Sequence, residues 1–326
     1  MGSSPTSRPS TSDNLGGHPS REVAANFLEM EIRVPVPHNF SFKRTALSHG
    51  WCELLPFEFE QSSWRLLRVI EMGDDRPVTA TITAGQDALA INTGRRLGKR
   101  AAAKVVRDVR HMLRLDEDLT EFYDAVAGDA EFEWIERQGA GRLLRSPTVY
   151  EDVVKAITTT NCSWALTVKM VTGLVQHLGR EAAGGRRSFP TPQVMAEAPL
   201  EFYTNVMRAG YRAPYFKELA ERVASGELDV ESWLASGLPT PALKREMKRV
   251  KGVGDYAADT LLRLIGRYDG LALDSWVRGK FARLHGRGRT VTDEKIARYY
   301  SRFGEWRGLA LWCDMTRDWL DEETAP

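Results

Sequence analysis

Residues 250–259 read VKGVGDYAAD: two glycines flank one valine, and an Ala-rich helical pattern starts at once. Glycine tolerates positive φ and lets another backbone come close. Gly252 and Gly254, with Val253 pinning the turn between them, therefore read as a tight hairpin joining the helical stretches TPALKREMKRV and DYAADTLLRLI, with Asp255 placed to cap the second. The exposed amides of such a turn and the helix N-terminus beside it suit an anion, phosphate above all. The stretch before the turn carries Lys244, Arg245, Lys248, Arg249 and Lys251 against Glu246, so positive charge is concentrated there. Amides and cations together point to contact with a nucleic-acid backbone without base reading. Asp274 follows 20 positions (274 − 254) after Gly254, in LALDSWVRGKF. Its apolar flanks place it part-buried, where it can cap the helix SWVRGKFARL and also face a pocket.

Composition bounds what surrounds these residues. The chain has 326 residues, 42% hydrophobic and 27% charged, which fits a globular protein of one to three domains. Its net charge of +1 predicts no partner by itself, so any nucleic-acid contact must rest on local charge. Three separated cysteines (Cys52, Cys162, Cys313) form neither a disulfide framework nor a thiolate cluster, which implies a reducing compartment. The six histidines show no metal-ligand spacing, and no dinucleotide-type glycine loop follows a strand. There is no apolar run of about 18 residues, hence no expected membrane span. The Ser/Pro/Gly-rich start lacks a signal-peptide core, and residues 1–24 read as a disordered tail.

The elements that must position the site follow from periodicity. FLEMEIRV, ELLPFEFEQSSWRLLRVIEM, VTATITAG and QDALAIN carry strand patterns, so 25–100 is expected to be an N-terminal antiparallel sheet domain, with a hairpin at EQSS. From about 101 the pattern turns helical. AAAKVVRDVRHMLRL puts Val105, Val106, Val109, Met112 and Leu113 on one stripe. SPTVYEDVVKAITTT opens with Ser146 as N-cap and Pro147 at the first helical position, and ALTVKMVTGLVQHLG ends at Gly179. Roughly ten helices are expected after the sheet, an α+β arrangement with the all-α part at 101–326 and a cleft between helical subdomains.

VKGVGDYAADTLLRL followed by LALDSWVRGKF resembles the helix–hairpin–helix DNA glycosylases of the Gly/Pro-rich loop and aspartate superfamily. RLLRSPTVYEDVVKAITTTN is similar to the segment before the DNA wedge in the 8-oxoguanine branch, AGYRAPYFKELAERV to a further segment of those enzymes, and GEWRGLALW to the closing helix of the 3-methyladenine branch. The resemblance covers about 130–320, and 28–100 by layout only. It implies a base-excision enzyme acting on double-stranded DNA with a damaged base, monomeric, in the cytoplasm or nucleoid (the nucleus in a eukaryote). Asp274 would be the catalytic carboxylate, stabilising the cationic sugar that forms as the N-glycosidic bond breaks and orienting water. Lys248, Arg249, Lys251, Gly252, Val253 and Gly254 would hold phosphate, and Asn161 would be the wedge that fills the space left by the flipped nucleotide. In lyase-competent relatives a lysine stands two residues after the second glycine and attacks the sugar. Here that position is Tyr256, which forms no imine, so a monofunctional enzyme is expected.

The base pocket is expected to use Tyr256, Trp276, Tyr211 and Thr260, with Trp164 and Trp312 as further aromatic candidates. Thr260 stands where 8-oxoguanine enzymes place a cysteine, and their lesion-reading segment has only an echo in EQSSW, 60–64. Those departures favour an alkylated purine such as 3-methyladenine, whose positive charge an aromatic pocket attracts, over an oxidised one. No cofactor or catalytic metal is expected; the resemblance allows a structural monovalent cation at the hairpin. A non-catalytic phosphate clamp and a protein-interaction scaffold are the alternatives. The clamp has no use for Asp274, and the scaffold predicts no salt-dependent DNA binding.

Overall fold

A computed structural model of the chain describes residues 31–320, and the tail expected at 1–24 lies outside them. The N-terminal part is a five-stranded antiparallel sheet of β1 (Glu31–Pro35), β2 (Phe57–Glu60), β3 (Arg65–Met72), β4 (Asp75–Ala84) and β5 (Ala88–Asn92), ordered β1-β5-β4-β3-β2. Strand β4 shows why: Val78, Ala80 and Ile82 are buried, while Thr79, Thr81 and Thr83 between them face a partly open side. The polar EQSS forms the expected turn between β2 and β3 as a short 3₁₀ segment, Gln61–Ser63.

Among the described residues the α-helices are α1 (Phe42–Ala46), α2 (Lys99–Met112), α3 (Thr120–Val126), α4 (Trp134–Arg137), α5 (Val149–Thr159), α6 (Trp164–Leu178) and α7 (Pro192–Glu197). After these come α8 (Ala213–Ala224), α9 (Thr240–Met247), α10 (Asp255–Leu264), α11 (Ser275–Leu284), α12 (Asp293–Tyr300) and α13 (Arg307–Thr316). The chain is thus α+β, and one continuous apolar core runs from Val34 in the sheet to Met315 in α13.

Sheet and helices are also joined by buried charge. Arg68 on β3 makes a bidentate pair with Glu151 on α5, at 2.8 and 2.6 Å. Lys155 reaches the same carboxylate at 2.8 Å, and all three side chains are at most 2% exposed. Burial alone would push Glu151 up, but the Arg68 and Lys155 charges beside it prevail and hold it at about 2. The Phe57 ring packs under both cations, 4.5 Å from Arg68 and 4.8 Å from Lys155.

Three local expectations are corrected. Helix α5 is capped by Thr148, whose side chain accepts from the Glu151 amide at 3.3 Å, and not by Ser146. Ser146 is instead buried, its amide donating to Asp152 Oδ1 at 3.0 Å. Asp255 is not the cap of α10; Gly254 is, and Asp255 becomes the first helical residue. Finally, α1 and a 3₁₀ turn at Gly50–Glu53 fill the stretch between β1 and β2, where no helical turn is expected from the sequence.

Candidate active site and nucleic-acid groove

The hairpin joins α9 to α10 as the spacing predicts, but only one glycine needs its special backbone. Gly252 has φ of 89°, and a Cβ there would lie 3.1 Å from both Ile157 on α5 and Tyr215 on α8. Gly254 has an ordinary φ of −85°, with nothing within 4 Å of where a Cβ would stand. It leaves an open approach to the α10 N-terminus. Val253 is 4% exposed and its amide donates to Val250 O at 3.0 Å, pinning the turn.

The local positive charge is more balanced than the run of lysines suggests. Lys248 binds Asp255 at 2.9 and 3.0 Å, Lys251 binds Glu218 at 2.6 Å, Arg249 binds Glu246 at 3.1 Å and Lys244 binds Asp259 at 2.7 Å. The first three pairs are solvent-exposed, where such bridges contribute about 0–1 kcal/mol each. A phosphate can therefore replace the carboxylates at little cost.

A groove of about 730 Å³ runs along this turn and is lined by Lys248, Val250–Ala257, Asn161 and Asp274. Asn161 sits in the turn between α5 and α6, exposed, with φ of 45°, a backbone asparagine accepts more readily than most residues. That turn is held from behind. Arg212, 4% exposed, donates to Thr160 through Nε at 3.2 Å to Oγ1 and through Nη2 to its carbonyl, and Thr167 Oγ1 donates to Thr158 O at 2.9 Å. The YRAPY segment thus acts through Arg212, which sequence reasoning passed over.

A second, deeper cavity of about 510 Å³ opens beside the groove. Thr159, Cys162, Tyr256, Asp274 and Ser275 line both, so Asp274 stands at the junction. It is half-buried and caps α11, Oδ1 accepting from the Val277 amide at 2.7 Å. The α10–α11 loop that carries it is tightly packed. Gly308 on α13 comes so close that a Cβ would sit 1.9 Å from Gly270 O, and its amide donates to Tyr268 O at 2.7 Å. Two residues before the aspartate, Ala272 is buried with φ of 47°, a left-handed conformation that non-glycine residues hold only when packing imposes it.

Tyr256 and Thr260 face the cavity from one side of α10, and Arg263 continues the same stripe at i+3 from Thr260 and i+7 from Tyr256. Burial raises the Tyr256 phenol above its ordinary value; the Asp274 carboxylate, as charge and as hydrogen-bond acceptor, raises it further against Arg263 and Thr260. The hydroxyl is therefore protonated at neutral pH, beside the Asp274 carboxylate. Trp276 and Trp164, 39% and 38% exposed, line the cavity with Trp312 and Trp319. Tyr211 does not belong with them: it is 56% exposed, stands on the groove, and stacks on the Arg212 guanidinium at 4.4 Å.

Residues from the N-terminal part complete the wall, so the cavity does not lie between helical subdomains alone. His49, Gly50, Trp51 and Glu53 line it, and Glu53 accepts from Trp164 Nε1 at 2.6 Å. The Trp164 ring packs where a Cβ on Gly50 would be, 2.4 Å from its nearest carbon. His49 is pushed down to about 3 by burial, so it is neutral, and its Nε2 donates to Leu144 O. Nothing in the sequence near residue 50 signals this, because the hydrogen-bond partners are 95 to 111 positions away. Among the described residues no lysine lines the cavity; Lys280 is tied to Asp318 at 2.6 Å. Among the described residues no group of His, Cys, Asp and Glu could hold a metal ion, and no helix is long and apolar enough to cross a membrane.

No family model matches the sequence, and no curated protein matches it. Solved structures do. The chain is similar to the 3-methyladenine DNA glycosylase from Archaeoglobus fulgidus, with 22% identity, a TM-score of 0.71, and coverage of 89% of this chain and 98% of that one. It is similar to MBOgg1 in complex with a low-affinity DNA ligand (23% identity, TM-score 0.69, 89% and 96% covered). It is also similar to the Clostridium acetobutylicum 8-oxoguanine glycosylase/lyase in complex with double-stranded DNA containing cytosine opposite 8-oxoG (18%, 0.68, 87% and 93%). The fold of this chain, an antiparallel sheet followed by helices, is thus the fold of these DNA glycosylases.

Proposed function

We propose that this chain is a monofunctional DNA glycosylase that hydrolyses the N-glycosidic bond of a flipped, damaged purine, with N-alkylated purines the first class to test. The observation that carries this reading is the place of Asp274, on the edge shared by a phosphate-suited groove and a base-sized cavity. A strand gripped at Gly252–Gly254 would present its sugar there while a flipped base enters the cavity. The base cannot react inside the duplex, and extrusion costs a few kcal/mol, which cavity contacts and Asn161 at the vacated site would offset.

As the C–N bond lengthens, positive charge grows on the sugar. Asp274, fixed by the Val277 amide, supplies a carboxylate that stabilises that charge without having to reorganise. Water completes the hydrolysis and the product is an abasic site. A phenol at position 256, and among the described residues no lysine lining the cavity, support a reaction without a Schiff base. The exposed indoles of Trp164 and Trp276 offer π faces to a cationic base. A pure phosphate clamp would need neither the cavity nor the carboxylate.

Duplexes each carrying one damaged purine, incubated with the protein and then cleaved with alkali, test this. Alkali-dependent cleavage at the lesion and no adduct with borohydride are expected. No cleavage at any lesion would refute the glycosylase reading, and a trapped adduct would refute the monofunctional one.

A further inference from the structure

We propose that Arg263 reads the flipped base by donating to a carbonyl oxygen, so that the preferred substrate is a guanine-type purine carrying an oxygen at C6. This rests on the glycosylase reading above and narrows it.

Arg263 lies on the cavity-facing stripe of α10 and is 5% exposed. Its guanidinium carbon sits 4.7 Å from the centroid of Trp312, whose own Nε1 is fixed to Ser48 O at 2.7 Å. The guanidinium therefore lies over the Trp312 ring at the cavity wall. Its donors are nearly idle. Nη2 reaches Leu271 O at 3.3 Å, while Nε is buried without a partner. No carboxylate among the described residues forms an ion pair with it, although Asp274 and Glu53 line the same cavity.

A guanidinium taken from water with most donors unmatched is costly, and such groups are normally paired. An acceptor on the ligand would meet that demand. Adenine-type bases present an amine at C6, a donor facing donors, whereas guanine-type bases present an oxygen, the atom that arginine pairs with in DNA grooves. A site whose buried donors need a substrate oxygen rejects the analogue lacking it. Glu53 and Asp274 against one arginine leave the cavity with a net negative balance, since His49 is neutral. A cationic N-alkylated guanine is thus accommodated as well.

The test uses the full chain and its Arg263→Met variant. Substrates are duplexes carrying 7-methylguanine, hypoxanthine or 8-oxoguanine, against 3-methyladenine, which keeps its C6 amine. Binding to a duplex with a tetrahydrofuran abasic analogue, which presents no base, is measured in parallel. Expected are excision of at least one C6-carbonyl purine by the wild type and a loss of about 10- to 100-fold in the variant. Adenine-type excision and abasic-duplex binding should change less than about threefold. Should Arg263→Met not fold, Arg263→Lys keeps the charge without the planar fork and should show the same carbonyl-selective loss.

Wild-type excision confined to adenine-type bases, an equal loss on both classes, or a parallel loss of abasic-duplex binding would each overturn the role of Arg263 while leaving the glycosylase reading intact. Absence of excision from every duplex would instead sink that reading itself.

Discussion

At the scale of single residues, the site depends on which protonation states burial allows. Tyr256 stands two residues after the second glycine of the hairpin and is held neutral beside Asp274. Tyr256→Lys places an amine at the junction of groove and cavity. Borohydride should then trap a covalent adduct with a substrate duplex that the wild type does not give, while an equally clean wild-type and variant gel would argue against the sugar lying there. His49 makes a separate prediction. Its folded value of about 3 lies below the ordinary 6.5, so the unfolded chain takes up its proton first as pH falls. The stability of the neutral, buried imidazole is complete above pH 6.5 and is lost progressively towards pH 3; by pH 5 the loss is about 2 kcal/mol. Urea unfolding at pH 7 and pH 5 should show that difference shrinking by about 2 kcal/mol in His49→Gln.

At the scale of elements, the hairpin and the helix after it were the most legible parts of the chain, because their signals are local. GVG between two helical patterns and an aspartate before SWVRGKF fix turn, helix start and cap with little help from elsewhere. The stripe Tyr256, Thr260, Arg263 follows 3.6-residue spacing, so Arg263 was as legible as the two pocket candidates before it. Tertiary partners were not legible. The acids that neutralise Lys248 and Lys251 come from α10 and α8, Tyr211 faces the groove because Arg212 anchors its turn, and Thr148 replaces Ser146 as cap because Asp152 claims the Ser146 amide. Gly252 tests the element as a unit. Its φ of 89° and the 3.1 Å approach to Ile157 and Tyr215 leave no room for a side chain. Gly252→Ala should cost about 1–3 kcal/mol of stability and weaken binding to undamaged duplex. Gly254→Ala, with open space around it, should cost less than about 1 kcal/mol of stability; equal stability losses in the two would contradict this reading of the turn.

At the scale of the molecule, sheet and helices are not separate layers with a site in one of them. The cavity takes Trp51 and Glu53 from the N-terminal part and Trp276, Trp312 and Arg263 from the helical part. The sequence revealed the α+β order through the switch from period two to period 3.6, but not this joint, whose contacts span long separations. The Arg68–Glu151–Lys155 cluster is its polar core, and it ties β3 to the helix that leads into the Asn161 turn. Glu151→Gln leaves Arg68 and Lys155 as two buried cations without their shared carboxylate and should destabilise by about 3–5 kcal/mol in denaturant unfolding. Replacing all three with apolar residues should cost less than that single change, because no buried charge is then left under-compensated. A triple variant less stable than Glu151→Gln would show that the ion cluster itself, and not its completeness, holds the joint.

The most direct measurement compares wild type and Asp274→Asn in single-turnover excision on a duplex the wild type processes, with duplex affinity measured in parallel. Asparagine caps a helix as well as aspartate, so α11 should be kept and only the charge facing the junction lost. Excision is expected to fall by about 10²- to 10³-fold, with affinity changing less than about threefold. Excision by Asp274→Asn at the wild-type rate would contradict the central claim that this carboxylate meets the sugar of a flipped nucleotide.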